Sequence, residues 1–144
     1  MAKRVCFIWL LLLSGCAQDT LNLHREEALS WNSLRGQWLF INYWAEWCKP
    51  CIEELPELTA FDQQQAGATV LGVNFDGVSE PELERLKQHF AIGFSLLQRD
   101  PSTMLQFERP KVLPATVVFD TEGRYIDTLY GPQTGNSLQQ LMSD

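Results

Sequence analysis

Apolar residues gather into a few dense blocks along this 144-residue chain, and the spacing within each block predicts an element. Val5 to Leu13 is an unbroken run of nine apolar residues. Trp38-Leu39-Phe40-Ile41-Asn42-Tyr43-Trp44 is nearly all apolar and rich in β-formers, as a buried strand requires. From Lys49 to about Gln65, Leu55, Leu58 and Phe61 recur at three-residue steps. That spacing predicts a helix, which Pro56 is expected to kink. Val70 to Phe75 is apolar throughout, like a central parallel strand. Ser79-Glu80-Pro81-Glu82 reads as a capping box that opens a second helix, with Leu83, Leu86 and Phe90 as its apolar stripe. Phe94 to Leu97 is a short strand, and Asp100-Pro101 opens a short helix through Phe107. Ala115 to Phe119 and Arg124 to Leu129 are strands joined by a turn at Asp120-Thr121-Glu122-Gly123. Gly131-Pro132 breaks the chain, and Asn136 to Met142 closes it with a helix. The order β-α-β-α-β-α-β-β-α predicts an α/β fold, a central mixed sheet flanked by helices on both faces.

Two stretches carry little pattern. Ala17 to about Arg25 is polar and reads as a tether, and Arg25 to Ser33 gives only a weak signal for a short helix or strand. Gly36 marks a turn before the first clear strand.

Composition narrows the classes. A chain that is 45% hydrophobic and 20% charged can bury one substantial core. The formal net charge is −7 and the pI about 4.8, with no run of lysines or arginines in the body of the chain. That argues against nucleic acid, whose phosphates require basic patches. Oligomeric state leaves no mark in the sequence, and a monomer is the default.

The apolar run at the N-terminus is far shorter than the roughly 20 residues of a membrane-spanning helix. Preceded by Met1-Ala2-Lys3-Arg4, it suits the apolar region of a signal peptide. Leu13-Ser14-Gly15-Cys16 resembles the lipobox of bacterial lipoproteins. The resemblance implies cleavage before Cys16 and acylation of that cysteine as residue 1 of the mature chain, and a plain secretory signal or an uncleaved anchor is the alternative. The expected organisation is a signal peptide at 1–15, a lipidated N-terminus and tether at 16–29, and one domain at 30–144. Removing Lys3 and Arg4 with the signal would take the charge from −7 to −9. Ala17, where some inner-membrane lipoproteins carry aspartate, tilts the expectation toward the outer membrane.

Cysteine counting follows. Of four cysteines, Cys6 leaves with the signal and Cys16 takes lipid, so Cys48 and Cys51 remain. They lie where the strand ending at Trp44 gives way to the helix starting near Lys49, which puts Cys48 at a helix N-terminus. Free N–H groups and the positive end of the helix dipole favour an anion there, lowering a thiol pKa and making the sulfur reactive. Cys51, one turn further, can reach the same sulfur. Lys49 adds a positive charge beside the pair, screened by solvent. A structural zinc site is the competing reading, but zinc wants four ligands and no second pair exists. His24 and His89 are not placed by the sequence as partners, so no metal and no cofactor is expected. Glu54 follows Cys51 by three residues and stands on the same helix face, where a carboxylate can accept the Cys51 proton. The plainer alternative makes Glu53 and Glu54 solvated helix charges.

Trp44-Ala45-Glu46-Trp47-Cys48-Lys49-Pro50-Cys51 closely resembles the active-site motif of the thioredoxin superfamily. Pro56 matches the helix proline of that family, and Leu113-Pro114-Ala115-Thr116 is similar to its cis-proline loop. The resemblance covers about Ser30 to Asp144. Within the superfamily, Cys48 through Pro56 carries the Cys-x-Pro-Cys-x-x-Glu-x-Pro pattern of the membrane-anchored, extracytoplasmic TlpA/ResA-like branch. The resemblance implies a thioredoxin fold and a thiol–disulfide oxidoreductase. Cys48 would attack, Cys51 would resolve as the partner in a Cys48–Cys51 redox disulfide, and Glu54 would tune Cys51. Pro114 would be cis, Leu113 would offer its backbone to a substrate strand, and Trp47 would cover the docking surface. Asn42 departs from cytosolic thioredoxins, which carry a buried aspartate there, so the proton relay would pass to Glu54. The implied partners are protein thiols and disulfides, apocytochrome c among them, and a DsbD/CcdA-type membrane reductant. A disulfide oxidase or isomerase, or a non-catalytic copper- or client-binding module, is the alternative on the same scaffold.

Overall fold

A strand with no polar edge is stable only where both of its faces are covered, and β3 (Trp38–Trp44) has that place at the centre of the sheet. The computed structural model describes residues 20–143; the predicted signal peptide and Cys16 lie outside the described residues. The elements run β1 (Thr20–Leu21), β2 (Leu29–Ser30), a 3-10 helix (Trp31–Leu34), β3, α1 (Lys49–Gln64), β4 (Ala68–Asn74) and α2 (Glu80–His89). They continue with β5 (Ser95–Leu97), α3 (Ser102–Leu105), β6 (Ala115–Phe119), β7 (Tyr125–Tyr130) and α4 (Gly135–Leu141). The main sheet has the order β5-β4-β3-β6-β7. β3, β4 and β5 are parallel, while β6 and β7 run antiparallel to their neighbours, so the sheet is mixed as the element order predicts.

Helices cover both faces, but unequally. The steps β3 to β4 and β4 to β5 cross the sheet in the same direction, and right-handed crossovers then place α1 and α2 on the same face. On that face Phe40, Trp44, Val70, Leu96 and Val118 pack under Leu55, Leu58 and Phe61 of α1, Leu83 and Leu86 of α2 and Leu138 of α4. On the other face Leu39, Ile41, Tyr43, Leu71, Val73, Val117 and Phe119 are covered by Leu34 of the 3-10 helix, Met104 and Leu105 of α3, and Leu21 and Leu23. Each fully buried Leu or Phe contributes about 1.5–3 kcal/mol over an exposed one.

The N-terminal boundary differs from the sequence expectation. The domain takes in residues from Thr20 onward, within the stretch assigned to a tether. Leu21, Leu23 and His24 are buried, Leu23 bridges antiparallel to Leu97, and Gln98 donates to the carbonyls of Asn22 and Leu23. The segment thus closes the β5 edge of the sheet. Its pattern, two leucines separated by one polar residue, is too short to read as a strand. His24 is fixed by Glu84, 60 residues away, with Nε2 2.8 Å from the carboxylate.

The helix starts differ too. Ser79 is the N-cap of α2, yet its hydroxyl makes no cap bond, and the Glu82 side chain that would complete a box accepts from Arg85 at 2.9 Å instead. The true capping box belongs to α4, where Thr134 and Ser137 exchange side-chain and backbone bonds.

Candidate active site

Ala45 to Trp47 link the end of β3 to α1, and Cys48 is the N-cap of that 16-residue helix. Pro50 sits in the first turn, where a missing N–H costs nothing. The helix runs on through Pro56. The Cys48 sulfur accepts a hydrogen bond from the backbone N–H of Cys51 at 3.3 Å and is joined to the Cys51 sulfur as a disulfide. Cys48 keeps 5% of its surface exposed while Cys51 is fully buried, so only the first sulfur is open to a partner. The free N–H groups at this helix end would hold a Cys48 thiolate. Its electrostatics fit a nucleophilic first cysteine and a shielded second one.

Glu54 lies one turn below Cys51, on the buried face of α1, and only 3% of it is exposed. Its Oε1 accepts from Asn42 Nδ2 of β3 at 2.8 Å, and its Oε2 accepts from the backbone N–H of Gln133 at 2.7 Å. Burial pushes its carboxyl above the ordinary glutamate range, and the Gln133 and Asn42 donors pull only part of the way back. Asn42 Nδ2 also donates to Thr116 Oγ1 of β6 at 3.2 Å. The Asn42 carbonyl oxygen is buried with no partner among the described residues. Glu53 points the other way, exposed and paired loosely with Lys49. The two adjacent acids thus have opposite surroundings, one solvated and one held in the core.

Strand register gathers the remaining residues at this end of the sheet. Tyr43 opposes Ala115 and Trp44 pairs with Asn74, so Pro114 and Asp76 follow directly at the edge where Cys48 emerges. The Leu113-Pro114 peptide is cis, Pro114 is buried, and its carbonyl accepts from Gly131. Leu113 is half-buried and Val112 beside it is exposed. Trp47 is 65% exposed, and its ring N–H donates to Asp76 at 2.9 Å while its edge meets Phe75. The Arg109 guanidinium lies over the Phe75 ring, 4.0 Å from its centre, and donates to Asp100. Asp100 also accepts from the Tyr43 hydroxyl, and burial beside that carboxylate keeps the phenol protonated well above the usual tyrosine range. Trp44, by contrast, is core, packed edge-on against Phe90.

Sequence reasoning placed Cys48, Cys51, Glu54, Trp47, Leu113 and Pro114 together, and the fold brings them to one end of the sheet. It missed Asp76, Arg109 and Gln133. Asp76 and Arg109 act across 29 and 34 residues, and Gln133 acts through its backbone, so neither periodicity nor residue type marks them. Among the described residues, no three His, Cys, Asp or Glu side chains group to hold a metal ion.

The chain matches the AhpC/TSA family over residues 16–129. It is 32% identical over 111 residues to the thiol-disulfide oxidoreductase ResA of Geobacillus thermodenitrificans, covering 74% of this chain and 62% of that protein. The chain therefore spans less than two thirds of the length of that relative. StoA of Bacillus subtilis superposes with a TM-score of 0.70 at 19% identity, covering 87% of this chain and 95% of that one. A DsbF homologue from Corynebacterium diphtheriae gives 0.72 at 19% identity, covering 86% and 82%. These likenesses show a thioredoxin fold. With a matched segment that spans the sheet and the cysteine pair, the chain belongs to the AhpC/TSA family.

Proposed function

We propose that this protein is an extracytoplasmic thiol–disulfide oxidoreductase that reduces disulfides of protein clients through the Cys48–Cys51 pair. The observation that carries the reading is the pairing of a helix-capping, partly open Cys48 with a buried Cys51 standing one turn above the buried carboxyl of Glu54. In the reduced enzyme the Cys48 thiolate attacks a client disulfide, forming a mixed disulfide and releasing one client thiolate. Cys51 then loses its proton to Glu54 and attacks the Cys48 sulfur. That step breaks the mixed disulfide, releases the second client thiol and closes the Cys48–Cys51 bond. Two electrons pass to the client. Cys48, Cys51 and Glu54 are the catalytic residues, and Trp47, Leu113 and Pro114 form the client-facing rim. The similarity to ResA supports this chemistry.

Acylation of Cys16 after removal of residues 1–15 would anchor the domain to a bacterial membrane, with one chain insufficient and several needed for firm attachment. A reductant outside the cytoplasm needs electrons from within, which a DsbD/CcdA-type membrane protein would deliver to the Cys48–Cys51 disulfide. Apocytochrome c thiols are the fitting client class.

The deciding experiment is the reduction potential of the pair in defined thiol buffers. A value near that of thioredoxin, roughly −270 mV, supports a reductant. A value near that of DsbA, roughly −120 mV, makes the chain a disulfide donor and reverses the proposed direction. Absence of a reversible two-electron couple would retire the enzyme in favour of a client-holding module.

A further inference from the structure

Among the described residues, the Glu54 carboxyl has two hydrogen-bond partners, and both are N–H donors. Asn42 Nδ2 serves one oxygen and the Gln133 N–H the other. This arrangement suits a carboxylate and gives the O–H of a protonated Glu54 no acceptor among its hydrogen-bond partners in the described residues. Yet burial favours the protonated form. The conflict has one local remedy. An unused acceptor is at hand in the Oδ1 of Asn42, which belongs to the very amide that touches Glu54 and is buried without a partner among the described residues.

We infer that Asn42 is a positioning residue whose side-chain amide turns over when Glu54 gains a proton, presenting Nδ2 to the carboxylate and Oδ1 to the carboxylic acid. Thr116 permits the exchange. Its hydroxyl accepts from Nδ2 in the orientation observed, and a hydroxyl can rotate to donate to Oδ1 in the other. An unpaired amide atom remains in either orientation, so the turn exchanges one unsatisfied group for another while keeping Glu54 bonded throughout. An aspartate in place of Asn42 would not do this, because it would compete with Glu54 for the same proton. The groups bonded to this pair among the described residues are Thr116 on β6 and the Gln133 N–H after β7, with the disulfide-bonded Cys51 one helical turn away on α1. None of them is charged while the disulfide is closed.

The inference rests on Glu54 exchanging a proton as proposed above, and it is tested without turnover. The oxidised full chain, labelled with 13C and 15N in detergent micelles, is titrated while the Glu54 carboxyl carbon and the Asn42 side-chain NH2 are followed by NMR. Above the Glu54 midpoint, the NH2 protons show strong cross-peaks to Thr116. Below it, with the same midpoint, those cross-peaks weaken several-fold. Cross-peaks of constant intensity through the Glu54 transition would overturn the inference, and so would a Glu54 that never titrates in the folded protein. Turnover of Glu54→Gln is measured separately. An unchanged rate alongside switching cross-peaks would remove the catalytic role of Glu54 and leave the amide switch standing.

Discussion

Asn42 Nδ2 and Glu54 Oε1 lie 2.8 Å apart in the core, joining the central strand to the helix that carries both cysteines. The contact unites a residue from the middle of an apolar run with one from the buried face of a helix. It places an ionisable group directly beneath Cys51, on the side away from solvent. Burial, only partly offset by its two neutral donors, makes this carboxyl keep its proton to a higher pH than an exposed glutamate. It is therefore suited to exchange a proton with a thiol that must ionise before it can attack.

Glu54→Gln is expected to slow resolution of the mixed disulfide by about 100-fold, the lower end of the range for positioned acid–base groups. If Glu54 takes the Cys51 proton as proposed, it does so only when ionised, so the wild-type rate falls as pH drops through its raised pKa. The glutamine variant lacks that acid limb. Stopped-flow decay of a preformed mixed disulfide, followed from acid to neutral pH, measures both. A variant that keeps the wild-type rate and the same pH profile would exclude Glu54 from the step.

The same carboxyl makes stability depend on pH. Its folded pKa is raised above the unfolded value near 4.3, so between the two the folded state holds more protons. Stability is then highest below the unfolded value and declines as pH rises through the folded one. Wild type should lose ground to Glu54→Gln across that window and run parallel to it at higher pH. Urea melts of the oxidised proteins at several pH values give the difference directly. A difference that is flat with pH, or that grows in the opposite sense, would contradict the assignment.

Gly72 supplies a prediction about packing alone. It lies in β4 beside the active-site strand, and a β-carbon there would meet Leu96 at 2.5 Å, Phe94 at 2.8 Å and the Trp44 ring nitrogen at 3.3 Å. All three neighbours are fully or almost fully buried, with little room to yield. Gly72→Ala should cost about 1–3 kcal/mol, as overpacking does in a dense core. Denaturant melts test this, and a variant as stable as wild type would show that the sheet relaxes freely at that point.

The main sheet and the cysteine site were legible because each rests on a local pattern. Six of the seven residues of β3 are buried, and its short length and aromatic-rich composition favour a strand over a buried helix. Cys48, Cys51 and Glu54 share a helix whose start is marked by the strand before it. Residues 20–34 were not legible, since Leu21 and Leu23 are buried by contacts with the distant β5 rather than by any periodicity of their own. Ser79 caps α2 as expected, but the box with Glu82 does not form, and the Glu82 carboxylate is bonded to Arg85 on the same helix. The support of Glu54 by Gln133 could not be read at all, because a backbone N–H carries no residue identity.

Substitution of Trp47 would test recognition apart from chemistry. Trp47 is the most exposed large apolar side chain at the cysteine end of the sheet, and its ring is held by Asp76 and by the edge of Phe75 rather than by the core. Trp47→Ala should therefore change stability by no more than about 0.5 kcal/mol, the usual bound for surface positions. If the ring forms the surface on which an unfolded client docks, its loss removes an aromatic anchor, worth about 2 kcal/mol or roughly 30-fold in affinity at such sites. That loss should appear in KM for a protein disulfide while reduction of a small aromatic disulfide proceeds unchanged, because Cys48 keeps its helix cap. Trp47→Phe retains the apolar surface and loses only the bond to Asp76, so it should fall between wild type and alanine. Parallel kinetics on the two substrates decide the matter. An equal loss on both would place Trp47 in the reactivity of Cys48, and no loss on either would remove it from the client surface.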